Sequence, residues 1–177
     1  MGISRFILIL LLISIAVVFY EKEQVGVKID DEEKPSISFY DSVVYQISQN
    51  GIDQVIQAKE SYVYKTREEL IEATIISKNS QKLGDTSLVS GDYIVKVDDR
   101  VYIDGNVRLN LPNSIDIHTE QLEYNLKTKI ARNNVKFDMT QSGNIFEGRN
   151  LYVNLIDKKI KADKTKMRIK FDDTYTQ

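Results

Sequence analysis

The chain is predicted to be all-β: an elongated two-sheet sandwich, or jelly roll, of stacked repeats, preceded by one N-terminal transmembrane helix. Three observations predict the β domain. After residue 35, apolar and polar side chains alternate with period two almost without interruption, the mark of strands with one buried face. Similar segments recur about every 30 residues. Tyrosines (10) and β-branched residues are abundant, and only two prolines occur.

The repeat is clearest within Asp104–Ala162. Asn106-Val-Arg-Leu-Asn-Leu and Asn134-Val-Lys-Phe-Asp-Met each alternate and run into a turn, Pro112-Asn113-Ser114 or Gln141-Ser142-Gly143-Asn144. Tyr62-Val-Tyr64, Tyr93-Ile-Val95, Leu122-Glu-Tyr124 and Leu151-Tyr-Val153 are spaced by 31, 29 and 29 residues. One such unit cannot bury its apolar face alone, whereas neighbours stacked on it can. The open ends of such a stack present unpaired strand edges.

Taken in order, the first element is Phe6–Tyr20, 15 residues without a charge. As a helix it spans roughly 22 Å, and Arg5 and Lys22 can snorkel outward at its ends. Residues 1–20 therefore read as a transmembrane anchor. Arg5 and the free amine precede it and Glu21 and Glu23 follow, which puts the N-terminus in the cytoplasm. A cleaved signal peptide is the alternative, since Ser14-Ile-Ala16 fits a small-x-small site. Val17-Val-Phe-Tyr would then begin the mature chain, which argues for an uncleaved anchor. Residues 21–34 are charged and form a linker.

The β domain covers residues 35–171, with a tail at 172–177. Ile37, Phe39, Asp41, Val43, Tyr45 and Ile47 share one face of a first strand. Asn50-Gly51 is a hairpin signal, and the next strand puts Ile52, Ile56, Ala58, Tyr62 and Tyr64 on one face. Leu70–Ser77 has mixed parity; a strand buried on both faces and a short helix capped from Thr66 both fit, and Thr74-Ile-Ile favours the strand. A loop at 78–86 precedes Val89, Gly91, Tyr93, Val95 and Val97, and Asp98-Asp99 turns the chain. Val101 to Leu111 follow, then a short return strand with Ile115 and Ile117. Leu122–Leu126, Val135–Met139, Leu151–Leu155 and Met167–Phe171 complete the series.

Composition narrows the chemistry. The 24 basic and 26 acidic residues leave a net charge of −2, so nucleic acid is not an expected partner. The absence of cysteine excludes disulfides, thiolate catalysis and lipoprotein processing. A lone His118 cannot build a histidine-rich metal site, and no metal or cofactor is expected. No nucleophile elbow or phosphate-binding loop occurs, so the chain does not read as an enzyme. A β-helical carbohydrate-active enzyme would need converging carboxylates, and Asp98, Asp99, Asp116 and Asp138 fall at unrelated strand positions.

Two features remain. The predicted interior lining is Ile37, Phe39, Val43, Tyr45, Ile56, Tyr62, Val107, Leu109, Phe137, Leu151 and Val153. It is either an ordinary core or a cleft that opens to take acyl chains. The run Lys158, Lys159, Lys161, Lys164, Lys166, Arg168 and Lys170 is either a protected edge strand or a site for an anionic headgroup or partner strand.

The N-terminal anchor, charged linker and Pro-led first strand precede Tyr102-Ile-Asp-Gly-Asn-Val-Arg-Leu-Asn, Ile117-His-Thr-Glu-Gln-Leu-Glu-Tyr-Asn and Gly143-Asn-Ile-Phe-Glu-Gly. Together, over about residues 3–171, they resemble the periplasmic, membrane-anchored component C family of the lipopolysaccharide export machinery. The soluble bridge protein of that machinery shares the repeat but is made with a cleaved signal, so the anchor favours component C. The resemblance implies a twisted β-jelly roll that receives lipopolysaccharide from the inner-membrane ABC transporter, carries its acyl chains between the sheets and passes it to the bridge protein. It implies that the C-terminal edge, Lys166, Met167, Arg168, Ile169, Lys170 and Phe171, docks the bridge protein. It further implies that the N-terminal edge meets the transporter's periplasmic jelly roll, that the anchor packs on the permease, and that Gly105 matches a family glycine. A structural scaffold subunit of an envelope complex, without lipid binding, is the alternative.

Overall fold

The computed structural model describes residues 33–49, 51–78, 86–157 and 159–170. The expected anchor, most of the linker, Phe171 and the tail lie outside them. Among the described residues no helix is long and apolar enough to cross a membrane.

The described residues form ten strands: β1 (Ile37–Ser48), β2 (Gly51–Val63), β3 (Glu68–Lys78), β4 (Thr86–Val97), β5 (Arg100–Leu111), β6 (Ile115–Asn125), β7 (Ile130–Arg132), β8 (Lys136–Gln141), β9 (Asn144–Asn154) and β10 (Lys159–Arg168). All pairings are antiparallel. The order is β1-β2-β3-β4-β5-β6-β7-β9-β10, and β8 also pairs with β6 and β9. β7 and β8 are thus two pieces of one strand. The hairpin turns carry the backbone they need: Asn113 and Ser114 both have positive φ, as do Ser142 and Gly143, which suits the right-handed twist of the flanking strands.

The hydrogen-bonded network is one sheet where two were expected. It makes a sandwich because its strands are creased along a common line. Asp41, Glu72, Asn106, Asn150 and Lys164 all have φ between 46° and 55° on that line. The pairing register skips or shifts beside them in β1–β2, β2–β3, β4–β5, β5–β6 and β9–β10. The gap between β7 and β8 falls on the same line. A non-glycine residue held at positive φ costs about 1–3 kcal/mol, so the crease persists only because packing over-determines it. Side chains from both sides of the crease share one core: Ile94, Ile103, Leu122, Leu151 and Val153 on one half, Ala58, Ala73, Val107, Leu109, Ile117, Phe137 and Met139 on the other.

Polar side chains tie the crease together. Asn106 Nδ2 donates to Asp92 Oδ2 at 2.7 Å, and Asn150 Nδ2 to Asp163 Oδ2 at 2.9 Å. At the break between β7 and β8, Asn133 Nδ2 donates to buried Thr119 Oγ1 at 2.7 Å, and Asn133 Oδ1 accepts from the Leu151 N–H at 2.9 Å. Thr119 Oγ1 in turn donates to the Lys136 carbonyl at 2.8 Å. Asparagine tolerates the left-handed backbone and supplies both a donor and an acceptor there.

The crease flips side-chain parity, and several expectations are corrected by it. Phe39 pairs with Ser61 but Ser42 pairs with Ala58, so the core-facing row of β1 is Ile37, Phe39, Ser42 and Val44. Val43 and Tyr45 therefore face outward and leave the predicted lining. Tyr62 also faces outward: it pairs with Glu69 and stacks edge-on against Tyr40 with ring centroids 6.4 Å apart. The mixed parity of β3 has the same cause. Leu70 faces the core before Glu72, and Ala73 and Ile75 face it afterwards. The expected short return strand and the Leu122 segment are one strand, β6, because Gly105 and Asn106 of β5 bulge opposite Glu120, which shifts the parity of β6 without ending it.

Candidate functional site

The core-facing side of the creased sheet changes character from one end to the other. Across β5–β9 it is closed. Val107, Leu151 and Ile117 are 1% exposed, and Leu109, Phe137 and Val153 are also buried. Each such side chain contributes about 1.5–3 kcal/mol by leaving water. Glycines show how tight the contact is. A Cβ on Gly148 would lie 2.9 Å from the Phe137 ring, and one on Gly91 would lie 2.4 Å from Ile103 Cγ2. The Phe137 ring lies over the bare backbone of its paired neighbour Gly148, and Ile103 over that of Gly91 across the crease.

Toward β1 the same surface opens. Ile56, Leu70, Ile75 and Val89 are only partly buried. Ile37, Phe39 and Val44, the apolar core-facing residues of β1, are 48%, 49% and 48% exposed. Among the described residues β1 pairs only with β2, and its outer edge has no strand partner along an apolar strand. At the opposite end β10 pairs, among the described residues, only with β9, and core-facing Met167 is 52% exposed. An apolar interior thus reaches half-exposed apolar residues at both open edges.

The two edges differ in charge. β10 carries Lys159, Lys161, Lys164, Lys166 and Arg168, with Arg168 held by Glu147 at 2.9 Å and Lys161 over the Tyr152 ring. Ile169 and Lys170 continue past the strand, where the Lys170 N–H donates to Asn144 Oδ1. β1 carries one charged residue, Asp41.

On the outer face a second buried group lies apart from the core. Arg67 Nε bonds Glu69 Oε1 at 2.5 Å, both side chains are less than 10% exposed, and the guanidinium sits 3.8 Å from the centre of the Tyr64 ring. Burial, then a hydrogen bond to Glu69, holds the Tyr93 phenol well above its ordinary pKa. This group clamps the Tyr64–Arg67 turn onto β4. His118 lies on the outer face beside Asp116 at 3.3 Å and is partly exposed. Asp98-Asp99 forms the β4–β5 turn, with Asp99 paired to Lys127. Among the described residues no group of three or more His, Cys, Asp or Glu is placed to hold a metal ion.

Of the predicted lining, Val107, Leu109, Phe137, Leu151 and Val153 come together in the closed part. Ile37, Phe39 and Ile56 belong to the open part. Sequence reasoning missed Ser42, Val44, Leu70 and Ile75. A signal was present, because Asp41 interrupts the apolar row of β1 and Glu72 that of β3. Gly105 has φ 75°, and a Cβ there would meet the Asp92 side chain, so glycine is required at this crease position.

A family profile described as lipopolysaccharide-assembly, LptC-related, matches residues 6–164. The chain belongs to the LptC-related family. That membership gives it a role in lipopolysaccharide transport. Among solved structures, the chain is similar to the crystal structure of LptH from Pseudomonas aeruginosa, the LptA-homologous periplasmic component of a conserved lipopolysaccharide transport device. The TM-score is 0.55 at 11% identity, covering 66% of this chain and 94% of that one, so the likeness is one of fold. No curated protein matches the sequence.

Proposed function

We propose that the protein is a non-enzymatic carrier that takes lipopolysaccharide from the inner-membrane ABC transporter and passes it to the soluble periplasmic bridge protein. The observation that carries this reading is the core-facing surface that runs from a closed centre to half-exposed apolar residues at β1, in a chain of the LptC-related family. Acyl chains match that surface, and their burial supplies about 0.8 kcal/mol per CH₂. Residues 1–20 anchor the domain in the inner membrane with the N-terminus cytoplasmic, and residues 21–34 hold it in the periplasm. The apolar edge at β1 meets the periplasmic jelly roll of the transporter. The basic edge at Lys166–Phe171 adds a strand of the bridge protein by backbone pairing.

Photo-crosslinkers at Phe39, Ile56 and Phe137 test the reading in cells. Lipopolysaccharide adducts are expected at Phe39 and Ile56, and more weakly at Phe137, where the halves must part first. No adduct at any of the three overturns the carrier role. The seating of Phe137 against Gly148 favours the second reading, a scaffold with a closed, dry core. In that case Phe39→Asp lowers stability modestly but leaves export by the folded protein unchanged, because a dry core makes no use of the open end.

A further inference from the structure

On the open part of the interior the apolar rows end in a polar one. Val44, Ile56, Ile75 and Val89 are paired neighbours on β1–β4 and face the core side. Two residues further along each strand, on the same face, come Gln46, Gln54, Ser77 and Ser87, again paired in register. Two residues of strand separate the rows by about 7 Å, and four strands span about 14 Å. Gln54 Nε2 donates to Ser77 Oγ at 3.1 Å, which leaves the Gln54 carbonyl with acceptor capacity. The four side chains of this row, Gln46, Gln54, Ser77 and Ser87, are uncharged. On the opposing half, the core-facing Glu68 and Lys96 pair with each other at 2.6 Å and neutralise locally.

A polar strand end is by itself ordinary. The comparison with the neighbouring strands gives it meaning. At the same rim, β5 and β6 carry Leu111 and Ile115, paired with each other and packed on the core. The polar rim is therefore confined to the strands where the interior is open. An acyl chain lying on Ile56, Ile75 and Val89 would place whatever it is attached to against Gln54 and Ser77. Amide and hydroxyl side chains without charge fit ester and amide carbonyls and sugar hydroxyls, and offer nothing extra to a phosphate.

We propose that Gln46, Gln54, Ser77 and Ser87 form a polar rim that hydrogen-bonds the uncharged acyl-sugar linkage of the bound amphiphile while its chains lie on Val44, Ile56, Ile75 and Val89. The rim orients the ligand with its sugar toward the Gly51 end of β2. This rests on the carrier reading and adds which way round the lipid sits.

The test uses the full chain in lipid nanodiscs and two probes. A pyrene-labelled alkane reports the apolar rows alone. A hexa-acylated glucosamine disaccharide, with and without its phosphates, reports rows and rim by displacing the alkane. The double variant Gln54→Leu/Ser77→Ala removes both partners, so no unpaired polar group is left behind. The expected result is a loss of about tenfold in affinity for both disaccharide forms, as about two hydrogen bonds are lost. Alkane binding is retained, which also shows that the variant is folded. An equal loss for alkane and disaccharide, no loss for either, or a loss confined to the phosphorylated form overturns the rim. A wild-type chain that binds neither probe overturns the carrier reading itself.

Discussion

Asn106, Asn133 and Asn150 show how much of this fold is held by single side chains. Each stands on the crease, where a strand must bend and its backbone groups lose their ladder partners. The Asn133 amide replaces one such partner, accepting from the Leu151 N–H while it donates to Thr119 Oγ1, and those of Asn106 and Asn150 donate to the Asp92 and Asp163 carboxylates. Tyr93 shows the opposite case, a residue whose surroundings resist its ionisation. Burial, with help from the hydrogen bond to Glu69, raises its pKa above the ordinary tyrosine value of about 10. The folded chain therefore holds this proton more tightly than the unfolded chain. Its contribution to stability is present in full below about pH 10 and is lost as pH rises through the folded value. Urea midpoints measured from pH 7 to 11 are expected to fall on the alkaline side. Tyr93→Phe is expected to flatten that fall, and Tyr124, raised by burial, to account for part of what remains.

At the scale of the strand, the same residue type has different weight at β1 and β8. Phe137 is 3% exposed and lies against Gly148, so Phe137→Ala leaves a cavity and is expected to cost about 3–5 kcal/mol. Phe39 is half exposed, and Phe39→Ala is expected to cost about 1 kcal/mol or less. Denaturant unfolding of both variants checks the contrast, and equal losses would mean the β1 end is closed in solution. The strands themselves were legible in the sequence because period-two alternation survives locally. Val107-Leu109 and Phe137-Met139 face the core as the pattern demands. Val43, Tyr45 and Tyr62 do not, because one residue at positive φ, Asp41, or a skipped pair at Lys59, turns the following side chains to the other face. The pattern reads parity only between such points. The repeat spacing also aligns outward Tyr62 and Tyr93 with inward Leu122 and Leu151, a one-residue slip that exchanges faces.

Across the whole domain the sheet grades from a packed centre to two loose ends. Hydrogen exchange should follow that gradient. Amides of β5, β6 and β9 are expected to exchange only through global unfolding, and those of β1 and β10 through local fraying at much lower cost. Uniform protection from β1 to β10 would contradict the open ends described above.

The sequence by itself determined the class of fold, the strand-rich domain after residue 35, the absence of cysteine chemistry and the family resemblance. Each of these is written in local alternation, composition or short motifs, which need no knowledge of distant neighbours. The tertiary structure alone decided that two expected sheets are one creased sheet, and which apolar residues are shut in and which stay half exposed. Those outcomes depend on where the left-handed residues of successive strands line up, and on whether a neighbour such as Gly148 or Gly91 leaves room for a facing side chain. Such alignment is a relation between strands, and no single strand carries it.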